Sequence, residues 1–148
     1  MRRWVILLAL FMFIPGCGDT APKDAVVTGP PDETFTIESP GGGPWQVRPL
    51  IFSVKDGAGR IIPDIELEII ANNGILVDVS GKTIAQNPPE NDILVTRTNS
   101  EGAVTVSISV TLPTCGTATS PITFNSSVSA STGFVNAISK QTWTIKCP

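Results

Sequence analysis

Histidine and tyrosine are both absent from the 148 residues. Without histidine the chain lacks the commonest general base and the commonest neutral metal ligand, and it can form no Ser-His or Cys-His couple. Charge is also sparse. Asp, Glu, Lys and Arg make up 16% of the chain, against about a quarter in an average globular domain. The net charge of −3 and a pI near 4.8 give no electrostatic footprint for nucleic acid. Three cysteines are too few for a cysteine-rich metal cluster, and no window carries a sustained helical period. What remains is a chain rich in Thr, Ser, Ile and Val, with 13 Gly and 13 Pro. That balance points to one all-β domain with many turns, because β-branched residues suit a pleated surface and Gly and Pro punctuate it.

The only long apolar run lies at the start. Arg2 and Arg3 precede an unbroken apolar stretch from Trp4 to Ile14, followed by Pro15-Gly16-Cys17. A spanning helix needs roughly 20 apolar residues, so this shorter run after a basic pair reads as a signal peptide over residues 1–16. Ile14-Pro15-Gly16-Cys17 resembles the lipobox of bacterial lipoproteins, in which cleavage before the cysteine accompanies lipidation of its thiol. The resemblance implies acyl chains on Cys17 and a membrane partner for that lipid. Gly18 follows the cysteine where an Asp would signal inner-membrane retention, so the expected address is the outer membrane. Removing Arg2 and Arg3 with the leader leaves eight basic residues against 13 acidic ones.

Residues 17–31 (CGDTAPKDAVVTGPP) are rich in Gly, Pro, Asp and Thr and show no periodicity. They are expected to form a flexible tether, reaching about 45–50 Å if fully extended.

Residues 32–148 are expected to form the domain, and their dominant signal is alternation at period two. Val104, Val106, Ile108, Val110 and Leu112 share one face of a ten-residue run, with Thr105, Ser107, Ser109 and Thr111 on the other. Ile65, Leu67 and Ile69 alternate in the same way with Glu66 and Glu68. Strands are expected at about 34–38, 46–55, 64–71, 75–79, 92–98, 103–112, 122–131 and 135–146. Seven to eight short strands separated by Gly, Asn and Pro turns describe an immunoglobulin-like Greek-key β-sandwich.

Two segments carry a family resemblance. Val54-Lys55-Asp56-Gly57-Ala58-Gly59-Arg60-Ile61-Ile62-Pro63-Asp64-Ile65-Glu66-Leu67 resembles the first hairpin of bacterial Ig-like domains of the invasin/intimin type (Big-1). Thr96 to Val106, with its Asn99-Ser100-Glu101-Gly102 turn, is similar to the second signature of that family. The resemblance covers about Trp45 to Leu112 and ends before the cysteine-bearing segment. Each signature residue has a structural job. Gly59 and Gly102 permit positive φ, Asp56 and Asn99 can bond their own turns, and Pro63 stiffens the start of the next strand.

With Cys17 assigned to lipid, Cys115 and Cys147 remain as an even pair in an exported compartment. A disulfide between them closes a loop of about 33 residues, which the chain-entropy argument values at about 3–4 kcal/mol.

Candidate chemistry is thin. Glu66 and Glu68 share an outward strand face, where carboxylates serve solubility and guard sheet edges. Asp56, Asp64, Asp78 and Asp92 are oxygen donors, but their spacing matches no calcium motif. Pro40-Gly41-Gly42-Gly43-Pro44 lacks the Lys-Ser/Thr and helix of a phosphate loop. Only Lys140 or Lys146 could activate a serine. No cofactor, metal site or catalytic residue is therefore expected. The expected function is a non-catalytic, membrane-anchored extracytoplasmic module for protein interaction, adhesion or envelope assembly, with a protein partner of unstated identity. The alternatives are an accessory subunit of a secretion, pilus or electron-transfer complex, and a glycan-binding sandwich for which Trp45 and Trp143 would have to be exposed.

Overall fold

The period-two pattern sorts side chains between a core and an outer face, and the tertiary structure assigns each strand to one of two sheets. A computed structural model describes residues 21–38, 43–47, 49–85 and 92–147, and Cys17 with its leader lies outside them. The strands are β1 (Val26–Thr28), β2 (Glu33–Ile37), β3 (Gly43–Gln46), β4 (Leu50–Lys55), β5 (Glu66–Asn72), β6 (Ile75–Val77), β7 (Ile93–Arg97), β8 (Ala103–Leu112), β9 (Ile122–Ser131) and β10 (Asn136–Ile145). No helix occurs among the described residues.

One sheet holds β1, β4, β8 and β3, with β6 also on β8; the other runs β2-β10-β9-β5-β7. β1 pairs antiparallel with β4, whereas β2 pairs parallel with β10, so the first stretch of chain serves both sheets in turn. This is an immunoglobulin-like sandwich in which sequence neighbours are divided between layers. The inward faces supply one core. Phe52 and Val54 of β4, Val106 and Ile108 of β8, Leu67 and Ile69 of β5 and Val128 of β9 are fully enclosed.

Three expectations need correction. The tether ends sooner than residue 31: Ala21, Ala25 and Val27 are buried in the core and β1 lies within the supposed linker. Its short Val-Val pair sits among Pro and Gly residues that mask the strand pattern. The single strand expected over 46–55 is two strands. Gln46 opposes Ser109 and Leu50 opposes Val106, so one extra residue between them breaks the ladder as a bulge. The strand expected to reach residue 79 stops at Val77, because Asp78 begins a turn. With β1 added and the 46–55 run divided, the described residues hold ten strands in place of the seven to eight expected.

Candidate functional site

Loops at the two ends of a sandwich carry its variable chemistry. At one end lie the approach to β1, the β4–β5 loop, the β7–β8 turn and the β9–β10 hairpin. The signature residues collect here. Asp56 Oδ1 accepts the backbone N–H groups of Ala58 (3.0 Å) and Arg60 (2.8 Å), and its Oδ2 accepts Arg60 Nε at 2.7 Å. The N–H of Arg60 and then its guanidinium hold the Asp56 carboxyl below its ordinary value of 3.8. Asn99 makes the same clasp with a neutral amide, its Oδ1 accepting the N–H groups of Glu101 and Ala103 at 2.9 and 3.1 Å. Gly59 and Gly102 close these turns at φ of 81° and 63°.

A third copy of this turn was not singled out in the sequence. Asp78 Oδ1 accepts the N–H groups of Ser80 and Lys82, at 2.8 and 3.0 Å, and Gly81 follows at φ 85°. The Ser80 hydroxyl, ahead of the Lys82 N–H, lowers the Asp78 carboxyl. The signal was present as Asp-Val-Ser-Gly, with the spacing of Asp56 to Gly59, but the alternating Ile75 to Val79 run obscured it.

The two signature segments touch. A Cβ on Gly102 would stand 2.6 Å from Ile61 Cγ2 and 3.0 Å from the Val54 carbonyl oxygen. Thr98, buried beside them, accepts the Ile65 N–H at 2.9 Å and donates its hydroxyl to the Ile62 carbonyl at 3.2 Å. Pro63 leads into Asp64, which sits at φ 60° with Arg97 Nε on its carboxylate at 2.7 Å. Asp56, Gly59, Pro63, Asn99 and Gly102 thus build one clamp between the β4–β5 loop and the β7–β8 turn. Their role is architectural.

Exposed apolar side chains mark the same end. Phe134 at the hairpin tip is 73% exposed and Ile61 is 53% exposed. The chain also arrives here: Asp24 Oδ2 accepts the Gly57 N–H at 3.2 Å, just after buried Ala21.

The opposite end carries the disulfide. Cys115 and Cys147 are joined with Cα atoms 5.6 Å apart, fastening the loop after β8 to the residues after β10. Towards the same end a shallow cleft of about 380 Å³ is lined by Pro44, Asn73, Gly74, Ile75, Thr111 and Phe124, among others. β6 covers β8 only from Ser107 to Ser109, so the cleft begins where that pairing stops.

Acid–base candidates are dispersed. Glu66 and Glu68 stand exposed on the outward face of β5. Among the described residues no three His, Cys, Asp or Glu side chains group as a metal site. Lys140 lies on the open outer face of β10 opposite Ser127, while Ser139 next to it points into the core. Trp143 is 2% exposed and its ring stacks on Phe35 with centroids 4.4 Å apart, whereas Trp45 is 39% exposed on β3.

No protein-family model and no curated protein matches the chain. Among solved structures it is similar to the ASH/PapD-like domain 7 of human CEP192. That likeness has a TM-score of 0.43 and 17% identity, and covers 87% of this chain and 92% of the other.

Proposed function

We propose that this chain is a lipid-anchored, extracytoplasmic Ig-like module of the invasin/intimin type, which holds a protein partner in an envelope or surface assembly and performs no chemistry. The observation that carries this reading is the position of Ala21. It is buried in the sandwich only four residues after Cys17, so an acylated Cys17 would bring the signature end towards the membrane and turn the disulfide end outwards. The cleft beside Thr111 and the uncovered stretch of β8 would then face a partner. Sheet edges and end loops are where such modules bind, since unpaired backbone groups and variable side chains gather there.

The side-chain chemistry supports a holding role. The Asp56 and Asp78 carboxylates accept hydrogen bonds within their own turns, and Asp64 is paired with Arg97. A glycan platform would use an exposed aromatic strip; here Trp143 is enclosed, and Trp45 and Phe134 lie towards opposite ends.

The test pairs location with contact. The intact protein should fractionate with membranes and carry acyl mass on Cys17, and Cys17→Ser should release it as a soluble form. A photo-crosslinking residue at Thr111 should then trap a protein in intact cells, whereas the same group at Lys55 should not. Retention of Cys17→Ser in the membrane fraction would sink the anchor. Equal crosslinking from both positions would sink the outward-facing site.

A further inference from the structure

The end at which the chain enters the sandwich has an apolar surface that the fold does not use. The β9–β10 hairpin turns on Gly133 at φ 88°, whose N–H is held by Ser131 Oγ at 3.0 Å, while Thr132 N–H reaches the Val135 carbonyl. Val135 packs on the core. Phe134 lies within the turn, but its side chain packs on no part of the core, and the ring is 73% exposed. One exposed phenylalanine would be ordinary; a group of exposed apolar side chains at one end marks a contact surface.

Ile61 and Val26, 53% and 51% exposed, share that end. The pairings establish this. Val26 opposes Lys55, the last residue before the loop that holds Ile61. Gly29, three residues further along the chain, lies against Ala137, which is three residues beyond Phe134. The stretch β1 to Gly29 and the start of β10 therefore run back from one common end.

The length of chain before this end decides what covers it. Ala21 is buried and Cys17 precedes it by four residues. At about 3.3–3.6 Å per residue, Ala21 can stand no more than about 14 Å from the Cα of Cys17. That is less than the tether length expected from composition, and only about twice the roughly 5–8 Å head-group layer on each side of a bilayer.

We infer that this end rests on the bilayer that holds the Cys17 acyl chains, with Phe134, Ile61 and Val26 seated in the interfacial layer. The inference rests on the lipid-anchor reading above. Lys23 and Lys55 are exposed around the same rim, where their stems can lie along apolar surface and their ammonium groups reach phosphates. Asp24, Glu66 and Glu101 are exposed nearby and outnumber those two charges, while Asp56 and Asp64 are paired with Arg60 and Arg97. Seating is thus driven by apolar contact and should depend little on anionic lipid. One acyl-anchored cysteine and one apolar foot together would fix the orientation of the domain, which an anchor alone leaves free.

The experiment uses the full acylated protein in nanodiscs of phosphatidylethanolamine and phosphatidylglycerol, with spin-labelled lipid added. Mass spectrometry of Cys17 comes first. Amide resonances of Ile61 and Phe134 should broaden severalfold more than those of Gly116 and Thr144. The variant Phe134→Ser, which leaves Ile61 in its contact with Gly102, should lose most of that difference while keeping its acyl mass and Tm. Replacing phosphatidylglycerol by phosphatidylcholine should leave the pattern unchanged. Acylated protein with equal broadening at both ends would overturn the seating and leave the anchor standing. An unacylated Cys17 would overturn both. A soluble Cys17→Ser dimer that Phe134→Ser dissociates would assign the patch to a second copy and so also overturn the bilayer contact.

Discussion

The indole N–H of Trp143 donates to Ser126 Oγ at 3.2 Å inside the sandwich, joining β10 to β9 through side chains as well as through the ladder. The bond is the first link of a buried chain. Ser126 donates to Gln141 Oε1 at 3.4 Å, Gln141 Nε2 donates to Ser139 Oγ at 3.0 Å, and Ser139 donates to the Pro31 carbonyl at 3.3 Å. Each of these two hydroxyls accepts one bond and donates one, so the side chains of this network find partners in one another and in the Pro31 carbonyl. The last link reaches the crossing between β1 and β2, where the chain changes sheets. Burying such groups is tolerable only while every member is partnered.

Breaking this chain should be costly at either of two points. Ser126→Ala leaves the Trp143 N–H without its acceptor, and Gln141→Leu takes the acceptor from the Ser126 hydroxyl and the donor from the Ser139 hydroxyl. Each should destabilise the fold by about 2–3 kcal/mol. Chemical denaturation of both single variants and the double should give a double-variant loss smaller than their sum, since the Ser126–Gln141 bond is common to both changes.

The two signature glycines should respond differently to alanine. Gly59→Ala meets nothing within 4 Å and faces only the positive φ, which should cost about 1–2 kcal/mol. Gly102→Ala adds the approach to Ile61 and the Val54 carbonyl, raising the loss to about 2–4 kcal/mol. Thermal unfolding should rank them in that order.

Reducing or removing the Cys115–Cys147 bond frees a loop whose ends are 32 residues apart. Cys115→Ala/Cys147→Ala should lose about 3–4 kcal/mol in denaturant titrations under oxidising conditions. Under reducing conditions the wild type and the variant should converge. Intact mass should rise by two hydrogens on reduction of the wild type.

Asp56 offers a test of charge separated from geometry, because Asn99 shows that an amide makes the same clasp. Its folded pKa lies below the ordinary 3.8, so the carboxylate stabilises the fold above that value. The contribution fades as pH falls through the lower, folded value. Asp56→Asn should therefore melt below the wild type at neutral pH, and the gap should close in acid below 3.8. A gap that stays constant down to strong acid would show that the loss is one of shape.

Much of the fold was legible because alternation depends only on neighbouring residues. The β8 and β9 boundaries, 103–112 and 122–131, coincide with the alternating runs. Strand β1 was not legible, since three residues between Pro-rich flanks carry too short a pattern. The bulge between Gln46 and Leu50 was also hidden, as it exists only relative to the register of β8. Of the signature residues, turn chemistry could be read locally for Asp56 and Asn99. Their shared clamp with Thr98 and Ile61 could not.

The sequence by itself determined the all-β class, the places where the chain turns, and the pair of cysteines available to each other. Period-two alternation states which side chains share a face, and Gly with Asx states where a strand must stop. Only the tertiary structure decided which strands share a sheet, which loops share an end, and how inward polar residues are satisfied. Ser139 and Pro31 are 108 residues apart, and no local pattern links them. It also shortened the tether, because the burial of Ala21 and Val27 depends on a core assembled from the rest of the chain.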